Sequence, residues 1–298
     1  MYPHAFRYHR ATSLPEAASM LAELGEDAKI LAGGQSLLPL MKLRLSSPSH
    51  LVDLNFVRDV SYVKRSNGEL RMGAMARHAE LAASDAVRAI PILHDCAAGI
   101  ADVQVRNRGT IGGSLAEADP SGDWGAVLLA LQCEVHCISP NGDRSIPISE
   151  FFLDAYTTAL APSEIVREVV VHAPKGTTGG AYIALKRCAP VYATASVAVQ
   201  LTMRDRATCE QARIVLGCVG LTAIRATAAE NELTGKEVNA QTISRAAEAA
   251  MAAADPQPDM RGSVEYKRAL VRSLTRRAID VALRRSCGEA VESGHIYA

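Results

Sequence analysis

The chain has no run approaching the roughly 18 apolar residues that a membrane helix needs, so no transmembrane span is expected. Its opening, Met1-Tyr2-Pro3-His4-Ala5-Phe6-Arg7, has none of the apolar core of a signal peptide, which predicts a cytoplasmic protein. An excess of charge of either sign is also missing. Lys+Arg and Asp+Glu both total 32, so no global field draws in nucleic acid. Cysteine is scattered, with seven residues at 96, 133, 137, 188, 209, 218 and 287. Only Cys133 and Cys137 lie close together, and no second pair completes the four-thiolate set of an iron–sulfur or structural zinc site. Buried free thiols acting as small hydrophobes are expected instead. The eight histidines show no metal-ligand spacing, and no Ser/His/Asp or Cys/His set can be assembled. No residue is therefore assigned to catalysis or to a metal.

What is present is ordinary in bulk and particular in two places. With 298 residues, 48% hydrophobic and 21% charged, the chain can bury a sizeable core and divides into two or three subdomains. It is organised around Ile30-Leu31-Ala32-Gly33-Gly34-Gln35-Ser36-Leu37-Leu38-Pro39, a short apolar strand running into two glycines and a hydroxyl residue. Glycines there let a ligand approach the bare backbone. Ser36 can cap a helix over 37–45, whose first turn accommodates Pro39. Amide N–H groups at such a turn favour an anion, although most Gly-Gly turns hold nothing.

A second stretch repeats the pattern: Thr110-Ile111-Gly112-Gly113-Ser114, followed by Ala118-Asp119-Pro120-Ser121-Gly122-Asp123. Two such turns can embrace the two phosphates of one dinucleotide from opposite sides. Neither is G-x-G-x-x-G or G-x-x-x-x-G-K-[ST], so neither a Rossmann site nor a P-loop is supported. Together, AGGQSLLP (32–39) and TIGGSLAEADPSGD (110–123) resemble the FAD-binding medium subunit of the molybdenum hydroxylases. That family includes aerobic carbon monoxide dehydrogenase, and the FAD domain of xanthine dehydrogenase is related. The resemblance extends over nearly the whole chain.

Read in order, residues 6–9 start a strand. Ser13 and Glu16 form a capping box for a helix over 14–24, which Gly25 ends. Strands at 29–32 and 50–54 complete a small unit with room for parallel pairing. Ser66-Asn67-Gly68 marks a hairpin between 62–65 and 69–72. Short helices at 78–82 and 92–99, a buried helix at 124–131 and strands at 134–139 and 165–171 follow, with 174–180 read as a linker. Strands at 181–187, 195–203 and 212–219 then alternate with helices at 224–233, 240–254 and 264–285. The expected class is α+β. A small N-terminal α/β unit (1–57) and a middle α+β domain (58–176) share the FAD site, and a C-terminal antiparallel sheet carries a helical cluster (177–298).

The resemblance implies one bound FAD. It counts Lys29, Ile30, Leu31, Ala32, Gly33, Gly34, Gln35, Ser36 and Leu37 among the cofactor-binding residues, with Ala101, Thr110, Ile111, Gly112, Gly113 and Ser114. The aspartate matching Asp123 bonds the ribityl chain there, and a carboxylate accepts two hydroxyl hydrogen bonds. On its own, Asp123 reads equally well as a helix cap. Lys186 alone reads as a solvated strand end and Tyr192 as half-buried packing. By the resemblance, Lys186 lies near the isoalloxazine, Tyr192 lies over its face, and Ile165 touches the ring through its backbone. The family often has Gly-Asp before that tyrosine, whereas this chain has Pro190-Val191. The resemblance further implies an electron-transfer subunit of an oxidoreductase. It would take electrons from [2Fe–2S] clusters of a small subunit, beside a large molybdopterin subunit, in a dimer of heterotrimers that passes electrons to an external acceptor. Substrate choice would then lie on the large subunit. Two rival readings stay open: a self-sufficient FAD-dependent oxidase and a non-enzymatic nucleotide-binding module.

Overall fold

The computed structural model describes residues 2–293, together with the backbone of residues 296–297. The N-terminal unit follows the expected alternation: β1 (Arg7–Arg10), α1 (Leu14–Leu24), β2 (Ala28–Leu31), α2 (Leu37–Lys42) and β3 (His50–Asp53). β3 is central in the order β1-β3-β2, and both its pairings are parallel. Ser13 Oγ caps α1 by accepting the Glu16 N–H at 3.3 Å. The return half of the box reaches back to Thr12 as well. Glu16 accepts from the N–H and hydroxyl of Thr12, at 2.7 and 2.6 Å.

The middle region opens with the hairpin of β4 (Val63–Ser66) and β5 (Glu69–Gly73). Asn67 and Gly68 take the positive φ values, 53° and 81°, that a type I′ turn requires. Six short helices come next: α3 (His78–Ala83), α4 (Asp85–Arg88), α5 (Pro91–Gly99), α6 (Val103–Arg106), α7 (Ile111–Glu117) and α8 (Trp124–Ala130). The chain returns through β6 (Glu134–Ser139), β7 (Gly142–Pro147), α9 (Ile148–Phe151), β8 (Phe152–Asp154), β9 (Thr157–Thr158) and β10 (Ile165–His172). The five-stranded order is β4-β5-β10-β6-β7. β6 ends at Ser139 as expected, and Pro140 and Asn141 turn the chain into β7. In that edge strand only Ile146 is buried, so no apolar alternation marks it in the sequence.

The C-terminal sheet pairs β11 (Thr177–Lys186), β12 (Ala195–Met203) and β13 (Cys209–Gly217) antiparallel. Short β14 (Ile224–Arg225) and parallel β15 (Ile296–Tyr297) lie at its edges. Helices α10 (Thr227–Leu233), α11 (Ala240–Ala253) and α12 (Val264–Ser286) cover one face. The expected helix over 224–233 thus begins later, because 224–225 pair with β13. The expected linker over 174–180 is shorter as well, because β11 runs through Gly179 and Gly180. A Cβ on Gly179 would lie 1.9 Å from Ala282 O of α12, so this glycine is where the last helix presses on the sheet.

Tyr182, Ala184, Ala198 and Val215 face the core of the middle region, while Ala181, Ile183, Val197 and Ile214 face the C-terminal helices. A sheet covered on both faces explains the near-continuous apolar strands. All seven cysteines are free, but Cys188 and Cys287 are exposed, against the expected burial. The first lies in the loop after β11 and the second at the end of α12, beyond any core. Among the described residues no helix is long and apolar enough to cross a membrane, and no three His, Cys, Asp or Glu residues group to hold a metal.

Candidate functional site

β2 delivers the chain to the loop 32–36, and that loop packs directly on the second glycine stretch. A Cβ on Gly33 would sit 2.3 Å from Arg108 O and 2.7 Å from Gly109 Cα, and one on Gly113 would lie 3.6 Å from Ala32 Cβ. Gly34 turns the chain at φ 72°, in the left-handed region. Among the described residues the backbone N–H groups of Gly33, Gly34, Gln35 and Ser36 meet no acceptor, which leaves four successive donors for an anion. Asn55 pins the loop by donating from Nδ2 to Ala32 O at 2.9 Å. Asp53 holds Asn55 in turn, accepting its N–H at 2.9 Å, and also takes the Tyr8 hydroxyl at 2.6 Å.

Two expectations about these stretches are corrected. Ser36 has helical backbone angles and makes no capping bond, and the helix that follows ends at Lys42. The second glycine pair is no turn but the first turn of α7. Thr110 caps that helix, accepting the Gly113 N–H at 3.2 Å, while Ala76 O and Ala74 O take the N–H groups of Ile111 and Gly112. Gly112 is needed for packing, since its Cβ would fall 2.6 Å from Ala74 Cβ. Four successive free backbone donors thus come from the first stretch, and the second adds side-chain hydroxyls.

A cavity of about 450 Å³ opens between the three regions, within the usual range for a small-molecule site. The N-terminal unit lines it with Lys29, Ile30 and residues 32–37. The middle region contributes Ala101, Thr110, Gly113, Ser114 and Asp123, and the C-terminal region Lys186 and Tyr192. Four residues singled out from the sequence do not line it. Leu31 turns toward Gly34, Ile111 is fully buried, and Gly112 packs on Ala74. Ile165 sits in the core between the N-terminal and middle units, alongside Ile30 and Ile138. Ala101 takes φ 41°, and Arg106 holds it by donating to Ile100 O and Ala101 O at 2.7 and 3.1 Å.

Asp123 and Lys186 form a buried charge pair. Lys186 Nζ donates to Gly99 O at 2.7 Å and lies 3.4 Å from Asp123 Oδ1, which accepts the Tyr182 hydroxyl at 2.8 Å. Lys186 is 1% exposed, so it is no solvated strand end, and Asp123 makes no capping bond. Tyr192 stands at the rim, 47% exposed. Partial burial pushes its hydroxyl pKa up, and Asp119 adds to the rise. Glu117 is raised too, by burial and then by Asp119.

His78 also lines the cavity, and sequence reasoning missed it. It lies 32 residues before Thr110 and carries no local signal. The bridge between Arg77 and Thr110 brings it to the site. Burial drives its pKa from 6.5 down to about 4, with Asp123 opposing and Arg106 reinforcing that shift. Because the folded value lies below the unfolded one, stability is lost as pH falls from about 6.5 to about 4. Urea unfolding of the FAD-free chain should show a loss of about 3 kcal/mol over that range that His78→Gln lacks. Parallel pH profiles for the two chains would refute it.

A cavity that offers free amides at one side and a buried charge pair at another defines a nucleotide-cofactor-binding protein. The model of the FAD binding domain in molybdopterin dehydrogenase matches residues 4–174, and that of the CO dehydrogenase flavoprotein C-terminal domain matches 180–282. The carbon monoxide dehydrogenase medium chain of Hydrogenophaga pseudoflava is 40% identical over 95% of this chain and 98% of its own. Subunit alpha of the 6-hydroxypseudooxynicotine dehydrogenase complex of Paenarthrobacter nicotinovorans is 39% identical over 96% and 97%. The solved structure of carbon monoxide dehydrogenase from Hydrogenophaga pseudoflava superposes with a TM-score of 0.93 at 41% identity, covering 96% of this chain and 99% of that one. The chain belongs to the FAD-binding subunits of the molybdenum hydroxylase family. It is the flavoprotein subunit of an oxidoreductase, and its cofactor is FAD.

Proposed function

We propose that this subunit takes electrons from [2Fe–2S] clusters of a small partner subunit and passes them to an external acceptor. A large molybdopterin subunit carries the substrate, and the whole assembles as a dimer of heterotrimers. The observation that carries this reading is the single cavity in which the loop 33–36, Asp123, Lys186 and Tyr192 meet, although they are far apart in sequence. Bound FAD supplies the redox chemistry, since a flavin takes up and releases electrons.

The residues present fit that cofactor. The four free amides suit a pyrophosphate, and Asp123 suits the ribityl hydroxyls. Lys186, buried and paired with Asp123, would hold a cation beside the flavin and favour negative charge on it. Tyr192 at the rim governs access to the ring edge, and Pro190-Val191 before it line the same cavity. The complex works in the cytoplasm, a compartment in keeping with seven unpaired thiols.

Size-exclusion chromatography of a native extract tests the assembly. Three polypeptides should coelute with flavin, whereas a homogeneous species near 31.7 kDa would contradict it. Tyr192→Ala in the assembled complex should change flavin reoxidation by the acceptor severalfold. Reduction of the molybdenum and iron–sulfur centres by substrate should stay as in the wild type, followed by stopped-flow absorbance. A change in which compounds reduce the complex would overturn this division of labour.

A further inference from the structure

Among the polar groups that line the cavity, the reading above leaves the ring of His78 unused. His78 is 4% exposed. Its backbone N–H donates to Gly109 O at 3.1 Å, and its Nδ1 accepts the indole N–H of Trp124 at 3.3 Å. An indole nitrogen only donates, so Nδ1 must be an acceptor and the ring hydrogen must sit on Nε2. Nε2 has no partner among the described residues, and a Cβ on Gly109 would lie 3.0 Å from it. The ring therefore presents a donor in a nearly closed place that lines the cavity. An N–H that opens onto the cavity without a protein acceptor is a donor left for an oxygen that arrives with the ligand.

We propose that His78 is a binding residue for FAD, donating from Nε2–H to an oxygen of the cofactor beside Gly109 and Thr110. Trp124 acts as its positioning residue. The inference rests on the assignment of the cavity to FAD. The donor is neutral by construction, because a second proton on Nδ1 would face the Trp124 N–H donor to donor. Gly109 packs against Gly33 and the loop of free amides, whereas Asp123 lies close enough to His78 to act on its charge. The acceptor therefore lies on the part of FAD that runs from the pyrophosphate to the ribityl chain.

The test strips FAD from the full chain and measures rebinding of FAD, ADP-ribose and riboflavin to the wild type, H78L and H78Q. H78L removes the donor, and H78Q keeps an N–H at similar reach. H78L should bind FAD roughly tenfold more weakly, the scale of one lost hydrogen bond, and H78Q should recover most of that. With isotope-labelled histidine, the Nε2–H resonance of the wild type should move on adding FAD while Nδ1 stays unprotonated. A loss shared with ADP-ribose places the acceptor on the pyrophosphate, and one shared with riboflavin places it on the ribityl chain; either supports the proposal. If H78L does not fold, H78Q and the resonance decide. FAD affinities within twofold across the variants, with an unmoved resonance, overturn the role of His78. A wild-type chain that rebinds no FAD would overturn the flavin assignment, and this proposal with it.

Discussion

Gly33→Asp is expected to purify colourless and to stay so when FAD is added back. The new Cβ would have to sit 2.3 Å from Arg108 O, which is backbone and cannot rotate away. The loop 33–36 must then separate from Arg108–Gly109, and that contact is what presents its four free amides to the cavity. The added carboxylate also brings a negative charge to the side where the pyrophosphate is proposed to lie. Affinity should fall by at least about a hundredfold, or about 2.7 kcal/mol. Gly33→Ala separates the two causes, because it carries the collision without the charge and should lose most of the binding too. The flavin-to-protein absorbance ratio of each purified chain is the measurement, with thermal melting as the check on folding. A yellow Gly33→Asp protein with full flavin content would rule this out.

The largest effect on stability is expected at Arg285. This residue near the end of α12 makes a two-pronged ion pair with Asp95 of α5, at 2.6 and 3.0 Å, with both side chains under a tenth exposed. It also donates to Gly180 O at 2.7 Å and to Val291 O, so it ties the C-terminal helix, β11 and the middle region at one point. Arg285→Met keeps much of the side-chain volume but leaves the Asp95 carboxylate buried beside fewer donors. The loss should be about 3–5 kcal/mol, read from urea unfolding. Adding Asp95→Asn should restore part of it, because the two changes share one interaction and do not add. A loss below about 1 kcal/mol would mean that the pair is as weakly stabilising as a surface one.

Much of the secondary structure was legible from local chemistry. Ser13, Gly25 and the Asn67-Gly68 turn act within three or four residues of themselves, so helix α1 and the β4–β5 hairpin follow from short stretches alone. The expected helix over 264–285 also matches α12 to within one residue, where the structure adds Ser263 as the cap. The α+β class, the FAD cofactor and the family could likewise be read from the chain, where AGGQSLLP and TIGGSLAEADPSGD together carry the resemblance.

The uses to which those residues are put were decided in three dimensions. Gly112 and Gly179 are identical to turn glycines on paper, yet one packs on Ala74 and the other under Ala282 O, and neither neighbour is near in sequence. Asp123 reads as a cap and Lys186 as a solvated strand end until the fold buries them together with Tyr182 and Gly99 O. His78 had no local signal at all, since its character comes from Trp124 and Gly109 across a tertiary contact. Periodicity and capping are short-range and survive in the sequence, whereas burial and long-range hydrogen bonds change what a side chain does only once distant segments have packed.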